Sequence, residues 1–178
     1  MSPRDIVDFW RVAGEKKWFA KDDAFDAELR QRFEASHHAA ARGEFSDWAQ
    51  SAEGALALLL LLDQIPRNIF RGTAHAFATD ALAQRVAEAA IDAGFDHAID
   101  STLRIFFYLP FEHAEDVGLQ ARCVALCEGS GDAEIAKWAR IHRDIIARFG
   151  RFPHRNTALG RISTPAELEF LAGPGFKG

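Results

Sequence analysis

The sequence predicts an all-α fold, laid out as a stacked helical array or bundle. Apolar residues recur at three- and four-residue steps along almost the whole chain, the spacing that gives a helix one buried face. No stretch sustains the strict apolar–polar alternation of a half-buried strand. Helix punctuation is frequent as well: Ser2-Pro3 and Thr164-Pro165-Ala166-Glu167 read as starts, and Gly43, Gly94 and Gly150 as stops.

The first helix takes Ser2 as its cap and Pro3 in its first turn, with Ile6, Phe9 and Trp10 facing inward. Trp18-Phe19, in the connection 14–21, is expected to fold back onto the core. A second helix after Asp22 buries Phe25, Leu29 and Phe33 and stops at Gly43. The third, about 51–64, is apolar all round from Ala55 to Leu62, so other elements must cover it on every side. Pro66 is expected to interrupt it, leaving 67–71 as a short turn. Further helices are expected at about 79–93, 102–108 (broken by Pro110), 114–128 and 132–149, with a last one opened by the Thr164 capping box. That gives about seven main helices in one domain spanning the 178 residues. A domain of that size buries roughly 70% of its unfolded surface.

Composition narrows the function classes. With 48% hydrophobic residues, including fifteen Phe and four Trp, the chain has ample material for a core. The net charge of −5 argues against a nucleic-acid partner. The longest apolar run, Ala55 to Leu62, falls far short of the roughly 20 residues that span a bilayer. The start, Met1-Ser2-Pro3-Arg4-Asp5, lacks a secretory apolar segment, so a cytoplasmic location is expected. Cys123 and Cys127, four residues apart on one helix face, read as core residues rather than as a disulfide or half of a metal site. No cofactor signature is present, and the sequence carries no marker of oligomeric state.

Two regions concentrate polar chemistry. Asp63 follows five consecutive leucines at the carboxyl end of the most buried helix, where desolvation and the helix dipole both oppose its charge. It needs a cation, either Arg67 nearby or Arg151 or Arg155 from the far loop, and Gln64 and Asn68 flank it. The other region is the loop 151–156, where Arg151, His154, Arg155 and Asn156 offer donors suited to carboxylate or phosphate. His142 lies on the apolar stripe of the preceding helix, formed by Ile135, Trp138, Ile145 and Phe149, and its ordinary pKa suits acid–base work. His113 and Glu115 open another helix. No Glu-x-x-His or His-Glu-x-x-His spacing occurs among Asp63, His113, Glu115 and His142, so no metal site is predicted from them.

Several long motifs in these regions are similar to a family of bacterial and fungal proteins catalogued as domain of unknown function 924. They are Leu62-Asp63-Gln64-Ile65-Pro66-Arg67-Asn68-Ile69-Phe70-Arg71-Gly72, Ala76-Phe77-Ala78-Thr79-Asp80 and Tyr108-Leu109-Pro110-Phe111-Glu112-His113. The likeness continues through 142–156 and Leu159-Gly160-Arg161 and so covers nearly the whole chain. It implies an all-helical, tetratricopeptide-like fold and no particular activity. The chain departs from the family pattern at Ile65, in place of Phe, and at Ala114, in place of a Ser that follows the His. Serine chemistry at the second position is thereby excluded here.

These observations favour a cleft that binds a small anionic metabolite. Asp63, Gln64, Arg67 and Asn68 would face His113, Glu115, His142, Arg151, His154, Arg155 and Asn156, with Asp63, His113 or His142 moving protons if the ligand reacts. The competing reading is a helical-repeat scaffold gripping a peptide or protein, and a metal-dependent helical enzyme ranks third. Whether the protein is an enzyme is left open.

Overall fold

A computed structural model of the chain describes residues 1–176. All regular structure among them is helical, with no strand. None of the described helices is long and apolar enough to cross a membrane. The chain forms two compact units: Met1–Arg71 with His75–Pro110, and Gly72–Ala74 with Phe111–Gly178.

In the first unit, α1 (Pro3–Ala13) opens with a capping box in which the Asp5 carboxylate accepts the Ser2 N–H at 2.7 Å. It buries Ile6, Val7 and Trp10. The short α2 (Glu15–Trp18) brings Trp18 back, as expected: its ring meets Phe106 edge-on at 5.0 Å and its Nε1 donates to the Trp10 carbonyl at 2.7 Å. Phe19 does not follow it inward and remains 63% exposed. Asp22 caps α3 (Asp23–Ala41), which buries Phe25, Leu29, Phe33 and His37 at four-residue steps.

The central helix departs from the sequence expectation at Pro66. It runs as α4 (Ala52–Leu59), a π-turn (Leu60–Gln64) and α5 (Ile65–Ile69) without stopping. Within the wide turn the Ile65 N–H reaches back five residues to the Leu60 carbonyl. Pro66 has no N–H to offer the next carbonyls, and a buried carbonyl without a donor is costly. Side chains supply the donors: His37 Nδ1 lies 2.8 Å from the Leu61 oxygen, Thr79 Oγ1 donates to the Leu62 oxygen at 2.6 Å, and Arg67 Nη1 to the Asp63 oxygen at 2.8 Å. The helix therefore continues through a proline that would otherwise end it. At its start, the N–H of Gly54 is capped by Ser51, and a Cβ at Gly54 would lie 2.1 Å from the Trp48 carbonyl oxygen. That close approach leaves no room for a side chain.

Two more helices complete this unit. These are α6 (Asp80–Asp92) and α7 (Ser101–Glu112). Pro110 does not break α7 as expected; the helix carries it two residues from its end. So near a carboxyl terminus few residues follow to be displaced. At and beyond its last residue, Gln120 Nε2 donates to the oxygens of Glu112 and Ala114 at 2.6 and 2.8 Å.

The second unit is built on α8 (Val117–Gly129), α9 (Ala133–Phe149) and α10 (Pro165–Ala172). α8 starts three residues later than its sequence suggests, because Asp116 serves as its cap and accepts from the Leu119 N–H at 2.8 Å. Gly150 ends α9 in the left-handed conformation at φ 69°, returning its N–H to the Ile146 carbonyl. Ile145, Ile146 and Phe152 form the local core, and Ile141, Phe149, Phe170 and Phe176 pack against it. α10 opens with the expected capping box between Thr164 and Glu167.

Candidate functional site

In the first unit, Asp63, Gln64, Arg67 and Asn68 sit in and just after the π-turn, and their polar groups are committed. Asp63 is 1% exposed; its carboxylate receives Gln64 Nε2 at 2.6 Å and lies 3.1 Å from Arg67 Nη1. The local cation named by the sequence is thus in contact with it. Arg67 also holds Asp80 in a two-pronged bond at 2.8 and 2.9 Å. Burial alone would lower the Arg67 pKa, but Asp63 and Asp80 together raise it, so the guanidinium is firmly charged. Asn68 donates to Asp26 at 2.8 Å, beside the Arg71–Asp26 pair. Arg67 thus bridges the Asp63 and Asp80 carboxylates beside the helix distortion.

The second unit holds His113, Glu115, His142, Arg151, His154, Arg155 and Asn156. Here the loop after α9 is organised by two forks. Arg151 binds Glu167 at 2.6 and 2.9 Å and the Ile162 carbonyl at 2.9 Å. Those bonds, with the Thr164 N–H, pull the Glu167 carboxyl down to about 2. Arg161 grips Glu115 at 2.7 and 2.9 Å and also donates to the carbonyl of Phe152 and the side chain of Asn156. Burial pushes Glu115 up, but Arg161 and the Phe152 N–H at 2.8 Å outweigh it and keep the group ionised. Asn156 further donates to Ser163 at 3.0 Å. Arg161 lies in the quoted Leu159-Gly160-Arg161 stretch, and its pairing with an acid 46 residues away could not be read from spacing.

Around Phe152, which is wholly buried, the imidazoles gather. His142 stands edge-on to its ring at 5.7 Å, His154 lies at 5.5 Å, and the Arg155 guanidinium sits 4.5 Å from the ring centre. Arg155 also donates to the His113 carbonyl at 3.0 Å. His142 faces inward, as its helix stripe requires, with Nδ1 at 2.9 Å from the Trp138 carbonyl and 3.4 Å from Glu112 Oε1. A carbonyl can only accept, so Nδ1 carries the proton, and Nε2 is the basic nitrogen. Trp138 itself is 40% exposed rather than core. Phe176 lies over the rings, 4.3 Å from His142 and 5.6 Å from His154.

His154 differs from its neighbours. Its Nδ1 is buried without a hydrogen-bond partner. Burial, then Arg155, His142 and His113, push its pKa down to about 3, with Glu115 opposing weakly. His154 is thus a neutral imidazole at ordinary pH, with a buried and unmatched nitrogen.

The two cysteines are core residues in geometry as well. Both are fully buried with sulfurs 3.8 Å apart, and Glu112 completes a potential three-ligand group with them. Their mutual hydrogen bond, then burial, raise the Cys123 thiol far above its ordinary range. A different group, His37, His38 and His75, gathers in the first unit. The adjacent pair 37–38 was visible in the sequence, but nothing in the spacing tied it to His75.

An all-helical fold carrying an Arg- and His-rich loop after its longest carboxyl-proximal helix defines the class. The chain belongs to the DUF924 family of bacterial proteins of unknown function, whose sequence model matches residues 6–175. It is similar to a solved protein of unknown function, ATU0120 from Agrobacterium tumefaciens, at 53% identity and a TM-score of 0.93, over 96% of each chain. No curated protein matches it.

Proposed function

We propose that this protein binds a small anionic metabolite in the cytoplasm, at the niche over Phe152 in the second unit. The observation that carries the reading is His154 Nδ1, buried without a partner among Arg155, His142 and His113. An anion's oxygen accepts from that nitrogen in its protonated tautomer, and the adjacent Arg155 guanidinium favours the negative charge. Arg151 and Asn156 shape the loop through Glu167 and Ser163, and Glu115 anchors it through Arg161. Asp63, Gln64, Arg67 and Asn68 stand outside this reading, because their polar groups serve one another, Asp80 and Asp26. If the bound ligand is turned over, His142 is the acid–base group, oriented by the Trp138 carbonyl and Glu112.

The test is a thermal-shift screen against phosphorylated and carboxylated metabolites, followed by calorimetric titration of each hit. At least one compound raises the melting temperature of the wild-type chain, and His154→Ala removes the shift. Because a bound anion stabilises the imidazolium, affinity also rises as pH falls. Equal binding by His154→Ala, or stabilisation by peptides but by no small anion, would overturn the proposal.

A further inference from the structure

The three histidines of the first unit have no part in the anion niche. His37 and His38 lie near the end of α3, and His75 lies on the 3-10 turn Ala74–Phe77. Their ring centres form a near-equilateral triangle with sides of 5.0, 5.3 and 5.5 Å. One ligating nitrogen from each falls within 4.8 Å of the others. Phe70 stacks on His75 at 4.0 Å and walls one side of the cluster.

The tautomer of His37 is fixed by the fold. Its Nδ1 is bound to the Leu61 carbonyl, which can only accept, so Nδ1 carries the hydrogen and Nε2 presents a lone pair. An imidazole held at its far nitrogen by a backbone carbonyl is the usual outer support of a metal-bound histidine. His37 Nε2 faces His75 Nε2 at 3.4 Å. That is long for a nitrogen–nitrogen hydrogen bond. It matches the edge of a tetrahedron about an ion with bonds of about 2.05 Å to nitrogen, which is about 3.3 Å. His38 offers a third nitrogen within 4.8 Å of the other two, and water would fill the fourth corner.

We propose that His37, His38 and His75 form a binding site for a divalent first-row transition ion, with three imidazoles and one water in tetrahedral array. Imidazole ligands suit zinc, nickel or copper rather than magnesium or calcium, which prefer oxygen. The ion would join the carboxyl end of α3 to the turn before α6. Through His37 it would also fix the donor that sustains the π-turn at Leu61. Glu34, one turn earlier on α3, adds negative potential.

The experiment uses the full chain stripped with a chelator and titrated with zinc ion by calorimetry, alongside cobalt ion followed by its visible spectrum. Expected are one ion per chain and a raised melting temperature. The cobalt bands should indicate tetrahedral nitrogen and oxygen ligation, without intense charge transfer from thiolate. His75→Ala and His38→Ala each weaken binding by about tenfold or more. His37 is left intact because its replacement opens the Leu61 carbonyl. Should His38→Ala disturb the metal-free fold, His75→Ala on the short turn carries the test. Absence of saturable one-to-one uptake, unchanged affinity in His75→Ala, or a thiolate band that vanishes in Cys123→Ala would each overturn the site.

Discussion

Two clusters of charge, one at the π-turn and one on the loop after α9, look alike in the sequence and differ in their chemistry. At the π-turn one guanidinium stands against two carboxylates, and the carbonyls released by Pro66 are met by side chains from elsewhere in the fold. On the loop, Arg151 and Arg161 are matched fork to fork with Glu167 and Glu115, yet His154 is left with a buried nitrogen that nothing meets. A polar cluster that closes on itself supports the fold. One that leaves a buried nitrogen unmatched is where we place the proposed anion site. The count of charged residues does not separate the two; the pairing does.

The largest effect should come from breaking the closed cluster. Arg67→Met removes the cation that bridges Asp63 and Asp80, and removing one partner of a buried pair costs about 3–5 kcal/mol. Urea unfolding measures it, and a loss below about 1 kcal/mol would mean that the cluster behaves as a surface pair. Next comes Thr79→Val, which keeps the shape but removes the donor to the Leu62 carbonyl. A buried acceptor stripped of its partner costs about 1–3 kcal/mol. Amide hydrogen exchange should show the added opening concentrated at residues 60–69.

Much of the helical framework was legible because it rests on local signals. Ser2, Asp22, Asp132 and Thr164 cap the helices they precede, and Gly150 closes α9. The Asp63–Arg67 contact was legible too, being one helical turn long. The course through Pro66 was not. Its continuation depends on His37 and Thr79, 24 and 17 residues from the carbonyls they serve, and no local rule couples them. The same reason hid Arg161 as the partner of Glu115 and His75 as the neighbour of His37. The tetratricopeptide-like placement rests on family resemblance rather than on helix geometry.

Acid should act on the Arg151–Glu167 fork of the second cluster. Glu167 has its pKa depressed from 4.5 to about 2, foremost by Arg151. A depressed carboxyl stabilises the fold fully above its unfolded value, and that contribution disappears as pH falls through about 2. Stability measured between pH 4.5 and 2 should therefore drop in the wild-type chain and drop less in Arg151→Gln. Identical slopes would show that the fork contributes nothing to the acid limb. Since Arg151 also holds the Ile162 carbonyl, the variant should melt lower at neutral pH as well.

His154 should show the smallest stability change and the sharpest contrast with Arg67. In the folded chain its pKa lies at about 3, against 6.5 for the unsolicited ring, so the folded form stays neutral where the unfolded form takes up a proton. The unfolded state then binds more protons between those values, and stability must fall as pH drops from 6.5 to about 3. Replacing the ring by His154→Phe removes an unmatched buried nitrogen along with that titration. Stability at pH 7 should stay within about 1 kcal/mol of wild type or rise slightly, because no hydrogen bond of Nδ1 is lost. The slope below pH 6.5 should flatten at the same time. Proton NMR of the wild-type imidazole checks the premise directly, since a His154 resonance that titrates near 6.5 would place the ring in contact with water and return the loop to the same self-contained class as the π-turn.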